Sequence, residues 1–315
     1  MDGILSVLKP PGMTSHDVVD VVRRVSGQRR VGHTGTLDPG AAGVLVCCLG
    51  RATRLSEFLM DADKEYRVEL RLGIRTSTGD AYGDPLPPPD SPVGRRPITR
   101  AVFESVLRRF TGEILQVPPM VSALHHEGTR LYRLARRGET VDLQPRRVTV
   151  YRIEVLRASQ DWERILLEIS CGKGTYIRKL CSDIGDALGT GGYAHFMVRV
   201  RAGQFHVRDA MTLEELDALA AAGALGDALI SMDQAVGHLP VVDLPDRSLS
   251  DVLHGHPVPV WKTGDTAMPE DTPVRLRSRR GALVALARVN GGLLRPFKVL
   301  AGGEGEIGAH RLRPR

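Results

Sequence analysis

The segment Gly32-His33-Thr34-Gly35-Thr36-Leu37-Asp38-Pro39-Gly40-Ala41-Ala42-Gly43 is the densest chemical feature of the chain. Four glycines let a backbone come close to a ligand. One carboxylate, Asp38, stands in the middle, and the proline after it restricts it to extended geometry. A carboxylate placed this way can act as a nucleophile or as a general base. Asp-Pro-Gly is also an ordinary turn, so the segment takes its meaning from the rest of the chain. A phosphate cradle is disfavoured, because no Lys-Ser or Lys-Thr pair follows.

A second cluster is Cys171-Gly172-Lys173-Gly174-Thr175-Tyr176-Ile177-Arg178. It has the look of a P-loop tail and fails the test. Gly174 stands where Ser or Thr should follow Lys173, and Leu167 stands where the first glycine belongs. A P-loop kinase is therefore set aside. What remains is a strand-to-helix corner presenting Tyr176 and Arg178. A third feature, Lys64-Glu65-Tyr66, opens an alternating strand and could equally be edge packing. Arg130, Arg133, Arg136 and Arg137 crowd together, with Arg133 and Arg137 spaced to share a helix face. Such a run fits a solvated helix surface as well as a phosphate-binding one.

The bulk numbers narrow the class. The 315 residues exceed one small core and suit a main domain with a smaller one. No apolar run approaches the roughly 20 residues that cross a bilayer, and no signal peptide is read at the N-terminus. Cys47, Cys48, Cys171 and Cys181 form no C-x-x-C pair, and no H-E-x-x-H occurs, so neither a disulfide framework nor a metal site is expected. The net charge of +6 favours a polyanionic partner. Only six basic residues are Lys. The Arg excess fits either composition bias or bidentate phosphate recognition.

The elements that must position these residues can be read in order. Ile4 to Leu8 predicts a strand. Thr14 or Ser15 caps a helix through Val25, stopped by Gly27. The glycine-rich loop from Gly32 to Gly43 leads into a buried strand, Val44 to Leu49, and Tyr66 to Leu72 alternates as a strand with one wet face. Pro85 to Pro97 is an exposed loop. Thr99 caps a helix through Phe110. Val148 to Leu156 and Ile165 to Ser170 are strands, Ile177 to Leu188 a helix, and Thr212 with Glu215 a capping box for a helix through Ala222. After a linker near 233–247, Pro273–Leu276, Ala282–Val289 and Leu293–Leu300 predict a small all-β module.

Taken together, these segments resemble the TruB family of tRNA pseudouridine synthases. Leu8-Lys9-Pro10-Pro11-Gly12-Met13-Thr14-Ser15 is similar to the family's K-P-x-G-x-T-S segment. Gly32 to Pro39 is similar to its catalytic G-H-x-G-x-L-D-P motif, Lys64-Glu65-Tyr66 to K-x-Y, and Thr78-Gly79-Asp80 with Gly83 to T-x-D…G. Gln116-Val117-Pro118-Pro119 with Ser122-Ala123, Tyr132 and Ala135-Arg136 is similar to the RNA-gripping insertion, and Gly174 to Arg178 to G-T-Y-I-R. One departure stands out. After Ala194-His195 the family often has an apolar residue and paired arginines, whereas Phe196-Met197-Val198-Arg199-Val200-Arg201 spaces them apart. Either Val198 or Val200 could therefore line the pocket.

The resemblance implies an α+β fold: a catalytic domain over 1–240 whose mixed, largely antiparallel sheet is flanked by helices, with an RNA-gripping insertion at about 112–147. It implies a β-barrel-like PUA-type domain over 245–315. It further implies a cytoplasmic, monomeric enzyme that converts the T-loop uridine at position 55 of tRNA to pseudouridine, with no cofactor, metal, membrane, guide RNA or obligatory protein partner. Asp38 would be the catalytic carboxylate and Arg178 its counter-ion. Tyr66 would be the platform under the flipped base and Tyr176 would close the pocket. His33 would sit near displaced loop nucleotides, and Lys9 would contact substrate. The T-loop base is stacked in folded tRNA and must flip out to be reached, and a flipped pyrimidine needs such a platform. Two other readings compete: a non-catalytic tRNA-binding or folding factor on the same scaffold, and a guide-RNA-dependent synthase, which would carry more sequence before Lys9.

Overall fold

The structure, a computed structural model, describes residues 1–87, 97–122, 124–126, 128–139, 141–260 and 269–301. Apolar alternation builds a nine-stranded sheet among these residues. Its main path runs Gly3–Lys9, Ala42–Leu49, Gly192–Ala202, Lys64–Leu72, Arg164–Cys171, Arg146–Ala158 and Gly112–Gln116. The pairings along it are antiparallel, except that Gly192–Ala202 runs parallel to Ala42–Leu49. Helices Ser15–Ser26, Arg100–Leu107, Ile177–Ala187 and Leu213–Ala221 contribute to the main core beside this sheet, against Leu45, Val68, Leu70, Leu167 and Ile169. The α+β architecture read from the sequence is the one found.

Local signals place the first helix. Thr14 caps Ser15–Ser26 in a reciprocal box with Asp17, and Gly27 ends it at φ 64°. Other expectations need correction. The loop from Gly32 begins inside a strand, Val31–His33, which pairs with Ala42–Leu49. The helix capped by Thr99 is α-helical only to Leu107 and tightens to a 3-10 turn over Arg108–Phe110. The helix Leu131–Arg136 carries Arg133, and Arg137 follows it in a turn whose N–H bonds to the Leu134 carbonyl at 2.9 Å. Of the proline-rich stretch, Pro85–Leu86 pairs with Arg75–Thr76, and 88–96 lies outside the described residues. The central strand Gly192–Ala202 was not anticipated at all.

A second, five-stranded sheet runs Val241–Leu244, Pro273–Ser278, Leu283–Asn290, Leu293–Val299 and Val258–Pro259. Three of these match the strand-like runs read in the sequence. The segment near 233–247, read as a linker, instead ends a short helix, Met232–Ala235, and carries the strand Val241–Leu244. The second sheet has its own core around Val242, Leu276, Ala285 and Leu294. It also shares one with the first part: Leu55, Val236 and Leu239 are buried against Leu283, Leu286 and Leu300. Arg275 reaches back to Asp233 at 2.9 Å, and Lys298 pairs with Glu57. A chain ended after residue 240 is therefore expected to melt several degrees lower. Uncovering even part of three apolar side chains costs about 1.5–3 kcal/mol for each one fully exposed. Thermal unfolding of the full and shortened chains checks this; coincident melts would mean that the shared contact contributes nothing.

Candidate active site

Asp38 projects from the loop between Val31–His33 and Ala42–Leu49, and that loop is held from several sides. Ser15, buried at the start of the first helix, accepts from the Leu37 N–H at 2.8 Å and donates to the Leu37 carbonyl at 3.1 Å. The Gly12 N–H bonds to the Pro39 carbonyl at 2.8 Å, and the Ala41 N–H closes a turn onto the Asp38 carbonyl. Lys9 is fully buried, and its ammonium donates to the carbonyls of Pro10 (2.9 Å), Pro39 (3.2 Å) and Ala41 (2.7 Å). Three donors meet three acceptors. The K-P-P-G-x-T-S segment is thus the cradle of the aspartate loop, and Lys9 lies beneath the loop.

Burial pulls the Lys9 amine down to about 8, with the nearby Arg199 adding to the fall and Asp38 opposing it. Below pH 8 folded and unfolded chains both hold the proton. Between about 8 and 10.5 the unfolded chain holds it more tightly, so this group makes stability rise with pH there. The deprotonated amine also gives up one of its three donors, and the turn after Asp38 loosens. Turnover is therefore expected to fall through an alkaline limb near pH 8. In Lys9→Met, slower throughout, that limb should vanish; its persistence would assign it to another group.

Arg178 enters from the first turn of Ile177–Ala187. Its Nε donates to Asp38 Oδ2 at 2.7 Å and its Nη2 to Asp38 Oδ1 at 2.9 Å, a bidentate pair. Nη1 donates to the Thr78 carbonyl at 2.6 Å and Nη2 also to the Val121 carbonyl at 2.9 Å. Asp80 Oδ2 lies 3.6 Å from Nε. The guanidinium side chain is 3% exposed, whereas that of Asp38 is 32% exposed. One carboxylate is therefore gripped from behind and open in front. The open side is a cleft whose lining includes Asp38, Gly40, Asp80, Tyr82, Arg178 and Phe196.

Tyr66 lies on Lys64–Leu72, opposite Ile169 on one side and Arg199 on the other. It is buried, and burial raises its phenol, with Arg199 working against that rise. Tyr176 stands at the N-terminal boundary of Ile177–Ala187. Gln116, itself buried, accepts from the Tyr176 N–H at 2.8 Å and donates to its carbonyl at 3.1 Å. Burial raises the Tyr176 phenol too. His33 ends its short strand, and its Nδ1 accepts from the Gly35 N–H at 3.3 Å. His33, Tyr66, Tyr176 and Lys9 support or flank the aspartate loop.

Arg199 is the residue that the sequence reading passed over. It is buried, and donates from Nε to the Val44 carbonyl at 2.8 Å and from Nη2 to the Gly35 carbonyl at 3.0 Å. It thereby ties both ends of the aspartate loop to the strand Gly192–Ala202, on which Arg199 stands opposite Tyr66. Gly43, at φ 114°, lets the two backbones meet, since a Cβ there would stand 2.3 Å from the Arg199 carbonyl oxygen. Neither Val198 nor Val200 lines the cleft; Phe196 and Met197 do.

Residues 23–177 match the model of the TruB family pseudouridylate synthase N-terminal domain, and residues 178–237 that of the tRNA pseudouridylate synthase B C-terminal domain. The chain is 49% identical over 276 residues to tRNA pseudouridine synthase B of Pelotomaculum thermopropionicum, covering 86% of this chain and 85% of that one. It is 44% identical over 317 residues to tRNA pseudouridine synthase B of Moorella thermoacetica, covering 95% and 99%. Among solved structures it is similar to one of a Cbf5-Nop10-Gar1 complex, with 29% identity, TM-score 0.72, and 95% and 85% of the chains covered. It is also similar to one of an H/ACA RNP bound to a substrate RNA containing 2'-deoxyuridine, with 27% identity, TM-score 0.71, and the same shares covered.

Proposed function

Because this chain belongs to the TruB family of pseudouridylate synthases, we propose that it isomerises the T-loop uridine of tRNA to pseudouridine, alone and without a guide RNA. The observation that carries this reading is the bidentate Arg178–Asp38 pair, buried on the arginine side and open on the carboxylate side. In the isomerisation the N1–C1′ bond breaks, the base turns, and C5 joins C1′. The proton on C5 is then lost and N1 gains one, so the formula is unchanged. Asp38 serves as nucleophile toward C1′ or as base toward the ribose, and Arg178 fixes the direction in which its oxygens point.

The flipped base stacks on Tyr66, and Tyr176 closes over it. Tyr66 stands opposite Arg199, the residue that bonds to the aspartate loop at Gly35 and Val44, which supports that placement. Lys9 and Arg199 hold the aspartate loop, and His33 stands at its other shoulder beside the displaced nucleotides. Catalysis is assigned to residues 1–240, and the insertion at about 112–147 and a PUA-type domain over 245–315 add grip on the T-stem-loop. The enzyme acts as a cytoplasmic monomer. The test is incubation of unmodified tRNA transcript with the purified protein, followed by mapping of pseudouridine. A single new pseudouridine in the T-loop is expected. Modification elsewhere, or none in a transcript that is bound, would overturn the assignment.

A further inference from the structure

The rim of the cleft carries exposed aromatic rings. Tyr82 is 72% exposed and lines the same cleft as Asp38 and Arg178, and Phe196, 44% exposed, lines it too. Neither ring is left there by a disordered loop. The Tyr82 N–H bonds to Asp80 Oδ1 at 3.0 Å, and the other oxygen of that carboxylate faces Arg178. The turn that carries Tyr82 is docked on the central strand, where the Ala194 N–H bonds to the Gly79 carbonyl at 3.0 Å, two residues before Phe196. The Tyr82 ring lies on Gly40, two residues beyond Asp38, so closely that a Cβ at position 40 would stand 2.2 Å from its Cε2. His195 completes the rim, its ring edge-on to Tyr193 with centroids 6.0 Å apart.

Two exposed rings on the lining of the cleft, beside a carboxylate, offer aromatic faces to a ligand. An unpaired nucleobase is the ligand that such faces suit, because every base has a π-face and stacking is tolerant of sequence. Flipping one nucleotide out of an RNA loop forces its neighbours from their own stack. We propose that Tyr82 and Phe196 take the unpaired base adjacent to the target uridine, at a stacking site separate from the one under the uridine itself. This rests on the reading that the substrate is an RNA with a flipped uridine.

The experiment is a cycle of protein and RNA changes. A T-arm hairpin, and two versions with an abasic site immediately 5′ or 3′ of the target uridine, are bound and turned over by the wild type, Tyr82→Ala, Tyr82→Trp and Phe196→Ala. Tyr82→Ala is expected to weaken hairpin binding about ten-fold, with the loss falling in KM far more than in kcat. Tyr82→Trp should restore it, and Phe196→Ala should act in the same direction. On one of the two abasic hairpins the Tyr82→Ala penalty should disappear. An undiminished penalty on both abasic hairpins, no penalty on the intact one, or a Trp variant no better than Ala would overturn the proposal. Failure of the underlying reading looks different: the wild type would then leave the intact hairpin unmodified whatever residue 82 is.

Discussion

Asp38→Asn is expected to bind RNA as the wild type does and to form pseudouridine more than about 10³-fold more slowly, the scale of losing a positioned carboxylate. The reason is local. Arg178 directs two donors, Nε and Nη2, at two acceptor oxygens. An amide has one such oxygen, so one guanidinium N–H would face an NH₂ group. The buried cation would keep the carbonyls of Thr78 and Val121, with Asp80 nearby. The stability cost is therefore about 1–3 kcal/mol, less than the roughly 3–5 kcal/mol of stripping a fully buried pair. Single-turnover pseudouridine formation, affinity for the same RNA and a thermal melt separate these effects. Near-normal turnover by Asp38→Asn would remove Asp38 from the chemistry.

Changes at Arg178 should rank second. Lys keeps a positive charge but is a point donor on a flexible stem, and it cannot reproduce a planar fork that serves a carboxylate and two carbonyls together. We expect Arg178→Lys to lower the single-turnover rate by about 10–100-fold, the loss of an oriented hydrogen-bonded pair. Arg178→Met should fall further, because Asp38 and Asp80 would then stand near one another with no cation between them. Both variants are to be compared at saturating enzyme, so that weakened binding is not mistaken for slowed chemistry. Full activity of Arg178→Met at neutral pH would show that the pair is only structural.

The parts of the fold legible in the sequence are those in which a local signal sufficed. The box of Thr14 and Asp17 and the box of Thr212 and Glu215 start their helices as expected. Lys64–Leu72 alternates buried and wetter residues along its length. Gly192–Ala202 was illegible because register shifts between Ala194 and Phe196 and between Arg199 and Arg201 break its period. Arg199 compounds this: a buried arginine reads as a surface residue until the carbonyls it meets are known. Lys9 misleads in the same way. Val241–Leu244 is bracketed by Pro240 and Pro245 and so reads as linker, though it pairs with Arg275–Ser278. Asp38 and Arg178 lie far apart in sequence, and no spacing rule joins them. Their pairing was legible only through the resemblance of the two motifs.

The apolar contact shared by the two sheets also has a consequence in time. Leu55 leaves the ribosome long before Leu283, Leu286 and Leu300, the side chains that cover it. At about 5–20 residues per second, a chain of this length exposes that patch for on the order of ten seconds or more, while Val236 and Leu239 arrive late to join it. During this interval the nascent protein presents a sticky apolar surface with the strands of its nine-stranded sheet already made. Its vulnerability to aggregation, and its need for a chaperone, should therefore be greatest just before Leu283, Leu286 and Leu300 emerge.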